Sequence, residues 1–346
     1  MGDDQHPSAP RTAWIVTDGK AGDVVQCAGV CEVMGVAFEP RVVAPRAPFV
    51  WLMPHGPMDP REHPERSTSP LAPPFPDLVV GSGRRAVPYI RWLTRKETPR
   101  PFTMFLKDPR TGSGVADAIW VPAHDRLRGA NVLATLTSPH RVHADRLAEA
   151  RANPDTAIAN VPPPRVAVLI GGDGPNHRFT GENIATLLAH LRTLAKSGAH
   201  LMGTLSRRTE TSDPALANGV TALFGDVGGY LWDGSGENPY LTILANADAV
   251  VVTTDSVNMI GEAAATGKPV LTFAPSPRKA GRSKFSPFLE GLAAHGVVKP
   301  FTGRLETFTY APINATPQIA DWLLERYRAS RSGDQPHAEE KERPHG

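Results

Sequence analysis

The segment Ala245-Asn246-Ala247-Asp248-Ala249-Val250-Val251-Val252-Thr253-Thr254-Asp255-Ser256, continuing through Val257-Asn258-Met259 to Phe273, decides the fold of this chain. Ala249 to Val252 is short, continuously apolar and rich in β-branched residues, the composition of a parallel strand buried on both faces. At Thr253 the pattern breaks into a polar turn. Asp255 or Ser256 supplies a side-chain oxygen able to cap a helix that runs from Val257 to Thr266, is closed by Gly267 and is followed by Pro269. Val270 to Phe273 begins the next strand. The unit is β-α-β, with its polar turn at the carboxyl end of a strand, where open α/β sheets place ligands. Amides at the start of the following helix suit a phosphate.

Upstream the same grammar repeats. Val166 to Ile170 is an apolar strand, followed by Gly171-Gly172-Asp173-Gly174-Pro175-Asn176 and a helix from about Gly181 to Ser197. A Gly-Gly turn is a weak signal alone, but after the first strand of an α/β domain its amides can approach an anion closely. His200 to Leu205 is the next strand and ends in Ser206-Arg207-Arg208-Thr209. Paired arginines at a strand end grip phosphate bidentately, with hydroxyls adding hydrogen bonds, whereas the plain alternative is a solvated basic turn. Val220 to Phe224 reads as a strand, and Asp226 to Glu237 as a loop whose Tyr230 and Trp232 would stack on a ligand or plug a cleft. Asn238 to Asn246 leads into the central unit. Beyond it come a basic loop with Arg278, Lys279, Arg282 and Lys284, a helix near Pro287 to His295, and a last helix from Pro317 to Ala329 with Ile319, Trp322, Leu323 and Tyr327 as its apolar face.

The first part of the chain reads as another α/β domain. Strand Thr12 to Thr17 meets Asp18-Gly19-Lys20-Ala21-Gly22-Asp23 and a helix from about Val24 to Met34. The dinucleotide fingerprint Gly-Xaa-Gly-Xaa-Xaa-Gly is absent, which disfavours a nicotinamide-dependent dehydrogenase or epimerase. These glycines serve a ligand or only make the turn. From Ala44 to Pro76 there are ten prolines in 33 residues without helical or strand periodicity, so the stretch is expected to be a surface excursion, and removal of Pro54 to Ser69 is expected to leave both cores intact. Further strands are expected at Asp77 to Gly81, Pro101 to Lys107, Ala116 to Val121 and Val132 to Leu136. A turn Gly81-Ser82-Gly83-Arg84-Arg85 and a helix carrying Tyr89, Ile90 and Leu93 follow the first of them. His124 beside Asp125 suggests an acid/base pair, since a carboxylate can fix an imidazole tautomer, but sequence neighbours rarely face each other in a strand.

The tail Glu262-Ala263-Ala264-Ala265-Thr266-Gly267-Lys268-Pro269 resembles the Glu-Ala-Xaa-Xaa-Xaa-Gly-Lys-Pro of GT-B glycosyltransferases, which hold a sugar nucleotide there. A narrower resemblance is to the mitochondrial fission "elongated mitochondria" family of plants and bacteria. Its patterns are matched by Asn238-Pro239-Tyr240, Ala247-Asp248, Thr253 to Met259, Asp18-Gly19-Lys20 with Gly22 and Gln26, Pro122 to Asp125, and Ser206 to Thr209. The resemblance implies two Rossmann-like doubly wound α/β domains facing a cleft, with the nucleotide or nucleotide-sugar in the second. It implies phosphate contacts from Gly171, Gly172, Ser206, Arg207, Arg208, Thr209, Thr254, Asp255 and Ser256, further ligand contacts from Asn238 and Met259, and Glu262 on ribose. The acceptor would lie on the loop of Gly19, Lys20, Gly22 and Gln26, with Asp18, His124 and Asp125 as candidate catalytic groups. No metal and no resident cofactor are expected. The domain expectation is a disordered 1–11, a first domain over 12–150 with insertion 44–76, a linker over 151–165, a second domain over 166–316, a helix over 317–329 returning to the first domain, and a disordered 330–346.

The length of 346 residues suits two ordinary domains. Lys and Arg number 37 against 35 Asp and Glu, a net +2, which gives no general pull toward nucleic acid. Cys27 and Cys31, one helical turn apart, form no disulfide framework and suit a reducing, cytoplasmic setting. Neither a signal-type start nor an apolar run of about 18 residues is visible, so a soluble protein is expected, with peripheral membrane association left open. Two functional classes follow: a GT-B-like nucleotide-sugar-binding protein of glycosyltransferase type, and a non-catalytic adaptor that binds a partner protein at a membrane surface, as the plant members of the resembling family imply.

Overall fold

The computed structural model describes residues 9–97, 99–278 and 285–332, without the side chains of Arg207 and Glu210. Lys279, Arg282 and Lys284 of the basic loop, and most of both segments expected to lack order, lie outside the described residues. Within them, Arg11 donates its backbone N–H to Asp77 Oδ2 at 2.8 Å, and the last helix continues to Ser332.

In chain order the elements are β1 (Thr12–Thr17), α1 (Ala21–Val33), β2 (Ala37–Val42), α2 (Phe49–Leu52), β3 (Leu78–Ser82), α3 (Val87–Arg95), β4 (Phe102–Leu106), β5 (Ala118–Pro122) and β6 (Val132–Thr135). There follow α4 (Ala144–Ala152), α5 (Thr156–Ala159), β7 (Arg165–Ile170), β8 (His177–Arg178), α6 (Gly181–Lys196), β9 (His200–Leu205), α7 (Arg207–Ser212), α8 (Pro214–Val227) and β10 (Tyr230–Leu231). The chain continues with α9 (Tyr240–Asn246), β11 (Ala249–Thr253), α10 (Val257–Ala264), β12 (Val270–Phe273), β13 (Ser276–Pro277), α11 (Ser286–Ala294), β14 (Val298–Pro300) and α12 (Ala315–Ser332).

The chain divides into two compact units. The first comprises the residues up to Val121, Asp125–Ala134 and those from Thr316 on, and the second comprises Pro122–His124 and Thr135–Ala315. Each contains one six-stranded parallel sheet, ordered β2-β1-β3-β4-β5-β6 in the first and β10-β9-β7-β11-β12-β14 in the second. Every residue of β3, β4 and β11 is buried, because helices cover both faces of a sheet whose crossovers are helical. In the first sheet the chain runs from β1 to β2 on one side and reaches β3 on the other. In the second it runs from β7 to β9 and β10 on one side and to β11, β12 and β14 on the other. The switch points therefore lie between β1 and β3 and between β7 and β11, where a crevice opens at the carboxyl ends of the strands.

Three expectations need correction. Val220 to Phe224 is not a strand but part of α8, where Val220, Leu223 and Phe224 are buried together; their helical spacing was hidden in a run too short to distinguish the two periods. Residues 135–150, expected in the first domain, and 151–165, expected to be a linker, both group with the second unit, the latter holding the end of α4, all of α5 and the start of β7. Finally, the proline-rich stretch is built into the first core. It contains α2 and a 3-10 turn at Pro60–Glu62, and it buries Met53, Met58 and Leu71 in the cluster formed by Trp14, Val79 and Tyr89. Helix α12 groups with the first unit, where the Tyr327 and Phe102 rings meet edge to face at 5.9 Å. Among the described residues no helix is long and apolar enough to cross a membrane.

Candidate functional site

In the second unit, the carboxyl ends of β7, β9 and β11 bring together the residues singled out in the sequence. Gly171 donates its N–H to Thr253 Oγ1 at 2.8 Å, and Gly172 donates to Asp255 Oδ2 at 3.1 Å. Both must be glycine. A Cβ on Gly171 would lie 2.0 Å from Asp255 Oδ2, and one on Gly172 would lie 2.7 Å from the Thr209 nitrogen. Ser206 caps α7 in a capping box with Thr209, whose hydroxyl donates to the Gly171 carbonyl at 2.6 Å. That lock fixes the end of β9 against the end of β7.

Arg208, on the first turn of α7, donates through one terminal nitrogen to Asp255 Oδ2 at 2.7 Å and through the other to the Gly172 carbonyl at 3.3 Å. Its side chain is 41 % exposed, whereas that of Asp255 is 1 % exposed. The pair is thus buried at its acidic end and open at its basic end. Asp255 Oδ1 is buried without a hydrogen-bond partner. Ser256, not Asp255, caps α10, accepting from the Met259 N–H at 3.5 Å. Thr254 is buried and donates its N–H to the Phe273 carbonyl at 2.9 Å. Beside this turn, Arg278 donates to Asp173 Oδ2 at 2.8 Å and to the Gly174 carbonyl at 2.7 Å. The side chain of Arg207 lies outside the described residues.

Glu262, half-buried on α10, accepts from the Tyr240 hydroxyl at 2.5 Å. Asn238 serves the same corner by accepting from the Tyr240 N–H at 3.0 Å. Burial pushes the Glu262 carboxyl up to about 7, with the Tyr240 hydrogen bond pulling the other way. The folded state therefore holds a proton that the unfolded chain releases near the ordinary glutamate range. Stability contributed by the protonated form is complete below that range and is lost as pH rises to about 7. Glu262→Gln should flatten this decline, gaining up to about 3 kcal/mol on wild type between pH 5 and pH 8 in urea denaturation. Parallel curves for the two proteins would assign the pH dependence elsewhere.

The first unit gathers a different set. Gly19 has φ +82°, a left-handed backbone that suits glycine, and donates its N–H to Thr17 Oγ1 at 3.1 Å. Asp18 Oδ2 accepts from Lys20 Nζ at 2.8 Å. Gly22 and Gln26 lie on α1, and Gln26 is buried there beside Asp23, Cys27 and Cys31. Burial drives both thiols up, Cys31 to about 12. They are interior side chains, not nucleophiles. His124 belongs to the second unit and Asp125 to the first. His124 lines a small cavity of 90 Å³ with Ala123, Leu136, Pro287 and Phe288, and its ring meets Phe285 edge to face at 6.0 Å. Such a volume is below that of ordinary small-molecule pockets.

The sequence reading missed Asp23, Ser82 and Lys107, which meet at the carboxyl ends of β3 and β4 and the start of α1. Asp23 Oδ1 accepts from Ser82 Oγ at 2.9 Å and from Lys107 Nζ. Lys107 has φ +78°, a conformation rare for a side-chain-bearing residue and without a sequence signature. Tyr240 stood in a noted motif, but its pairing with Glu262 spans 22 residues. Among the described residues no group of three or more His, Cys, Asp or Glu is placed to hold a metal ion.

Comparison with known proteins places this geometry in context. The profile of the family described as Mitochondrial fission ELM1 matches residues 21–327. Mitochondrial fission protein ELM1 of Arabidopsis thaliana is 30 % identical over 277 residues, which is 71 % of this chain and 62 % of the plant protein. The chain thus spans less than two thirds of that relative. Among solved structures, MnaA of S. aureus in a co-structure with UDP is 12 % identical with a TM-score of 0.50, covering 92 % of this chain and 90 % of that one. UDP-GlcNAc 2-epimerase from Neisseria meningitidis, bound to UDP-GlcNAc, is likewise 12 % identical with a TM-score of 0.50, covering 94 % and 93 %. The likeness is one of fold: two Rossmann-like α/β units of the GT-B kind.

Proposed function

The chain belongs to the mitochondrial fission ELM1 family, and from that premise we propose that its second unit binds a nucleotide-sugar, with the diphosphate at the carboxyl ends of β7, β9 and β11. The observation that carries this reading is the disposition of Arg208. Its two described hydrogen bonds, to Asp255 and to the Gly172 carbonyl, orient a guanidinium that remains 41 % exposed. A guanidinium has five N–H donors, so donors remain for phosphate oxygens. Asp255 acts here as a positioning residue. The N-termini of α7 and α10 approach the same crevice, and their capped first turns favour negative charge. Two proteins of this fold whose structures contain UDP or UDP-GlcNAc support the choice of ligand. Glu262 and the Tyr240 oxygen would offer acceptors to ribose hydroxyls, the Tyr240 proton being committed to Glu262.

Isothermal calorimetry with UDP and UDP-GlcNAc tests the reading. Arg208→Ala should weaken binding by about 1.5 to 3 kcal/mol, the range for a hydrogen bond to a charged group. Equal affinity in wild type and variant returns Arg208 to a structural role. A second reading, a partner-binding adaptor without nucleotide, is favoured by Trp51, Leu52 and Val42 of the first unit, which are 75 %, 51 % and 50 % exposed. The two readings separate in the same experiment, because an adaptor of that kind leaves both nucleotides unbound.

A further inference from the structure

Two arginines from distant parts of the chain close on the glycine turn that follows β7. Arg208, in the first turn of α7, donates to the Gly172 carbonyl at 3.3 Å, and its Nη1 lies 2.8 Å from the place a Cβ would take on Gly174. Arg278, which follows β13, donates through Nε to the Gly174 carbonyl at 2.7 Å. Both guanidinium groups therefore meet at one residue, and a side chain at Gly174 would push the first of them aside. Arg278 is presented from a tied strap. Ser276 pairs with Arg178 of β8, the Arg278 N–H donates to the Asn176 carbonyl at 2.8 Å, and Asn183 Oδ1 accepts from the Ser276 N–H and hydroxyl at 3.0 and 2.8 Å.

Each guanidinium is held by an acid of its own, Arg208 by Asp255 at 2.7 Å and Arg278 by Asp173 at 2.8 Å. Asp255 is buried, and both oxygens of Asp173 are engaged, Oδ1 by the Phe179 N–H at 2.7 Å and Oδ2 by Arg278. The arginines are the open partners, with side chains 41 % and 44 % exposed. A guanidinium has five N–H donors, and the described bonds use two on each, so donors remain on both. Charge alone does not select a ligand here, because Arg178, Arg208 and Arg278 are balanced by Asp173, Asp255 and Glu182 of the same elements. The open donors do select. Two planar forks, fixed in place on either side of one backbone residue, call for a ligand rich in acceptor oxygens, and each fork matches one phosphate.

We propose that Arg208 and Arg278 form a two-armed clamp for adjacent phosphates, one guanidinium to each, which makes the site selective for a diphosphate over a monophosphate. The inference rests on the nucleotide reading for the identity of the ligand, and it adds Arg278 as the residue that distinguishes one phosphate from two. Asp173 is then a positioning residue for Arg278, as Asp255 is for Arg208. The clamp involves binding alone, with no bond made or broken.

Calorimetry on the full chain with UDP, UMP, pyrophosphate and inorganic phosphate tests the clamp. Wild type should bind UDP at least about tenfold more tightly than UMP, as a further charge-assisted contact provides, and pyrophosphate more tightly than phosphate. Arg278→Gln should bring the ratio of UDP to UMP affinity close to one. Arg278→Lys keeps the charge without the planar fork and should recover only part of that ratio. Both variants should melt near the wild-type temperature, because the substituted side chain is half exposed. Equal UDP and UMP affinities in wild type, or an unchanged ratio in Arg278→Gln, overturn the clamp and leave the nucleotide reading standing. Pyrophosphate binding that Arg278→Gln weakens, with no binding of UDP, upholds the clamp and overturns the nucleotide reading. Binding of none of the four ligands overturns both.

Discussion

Gly171→Ala is expected to cost the protein several kcal/mol of stability and to disrupt the crevice at the carboxyl ends of β7 and β11, where we propose that the ligand binds. The new methyl group would sit 2.0 and 2.3 Å from the two carboxylate oxygens of Asp255. Asp255 has nowhere to withdraw. Its side chain is 1 % exposed and is held by the Gly172 N–H and by Arg208. Moving it leaves a buried carboxylate without its partner, a change that costs about 3 to 5 kcal/mol in a fully buried pair and less here, where the guanidinium is 41 % exposed. Urea denaturation should show the midpoint falling accordingly. Asp255→Gly on top of Gly171→Ala removes the clash, and the double variant should recover part of the loss. A single variant within about 1 kcal/mol of wild type, the range of an ordinary substitution, would mean that Asp255 moves freely and does not organise the site.

Deletion of Pro54 to Ser69 is expected to abolish cooperative unfolding of the first unit, the opposite of what proline content suggests. The deleted stretch contributes Met58 to the core and supplies Asp59, which is 1 % exposed and accepts from the Arg46 and Arg61 N–H groups, both at 3.0 Å. It also supplies Glu62, the partner of the buried Tyr89 hydroxyl. Losing one large apolar side chain from a core costs about 2 to 5 kcal/mol, and here a polar network is lost with it. Those terms together are comparable with the whole stability of a domain. Circular dichroism melting of the shortened chain decides the matter, and a single sharp transition at the wild-type temperature would show that the segment is dispensable after all.

The two central β-α-β units were legible because their signals are local. A buried parallel strand must be apolar throughout, a helix must have a cap and a stop, and glycine must occupy a turn whose backbone touches another chain segment. Ala249 to Val252, the Val257 helix and the Gly171-Gly172 turn all declare themselves within a few residues. The fold class follows from their repetition. The Ser206 to Thr209 motif was legible as a strand end, but not as a capping box.

What the chain folded over long distance was not legible. Arg208 meets Asp255 across 47 positions, and Lys107 meets Asp23 across 84. The proline-rich stretch carries no period because its apolar residues pack from irregular turns, not from one face of a helix or strand. Val220 to Phe224 could be read with either period until α6 and β9 lay beside it. Sequence alone determined most of the buried strands and the helices that follow them, and that two α/β units are built from them, since backbone propensity and burial pattern act over a few residues. Only the tertiary structure decided which charges meet, which cap is used and which glycines face carboxylates, because those depend on strand order, and strand order brings together residues that no local pattern connects.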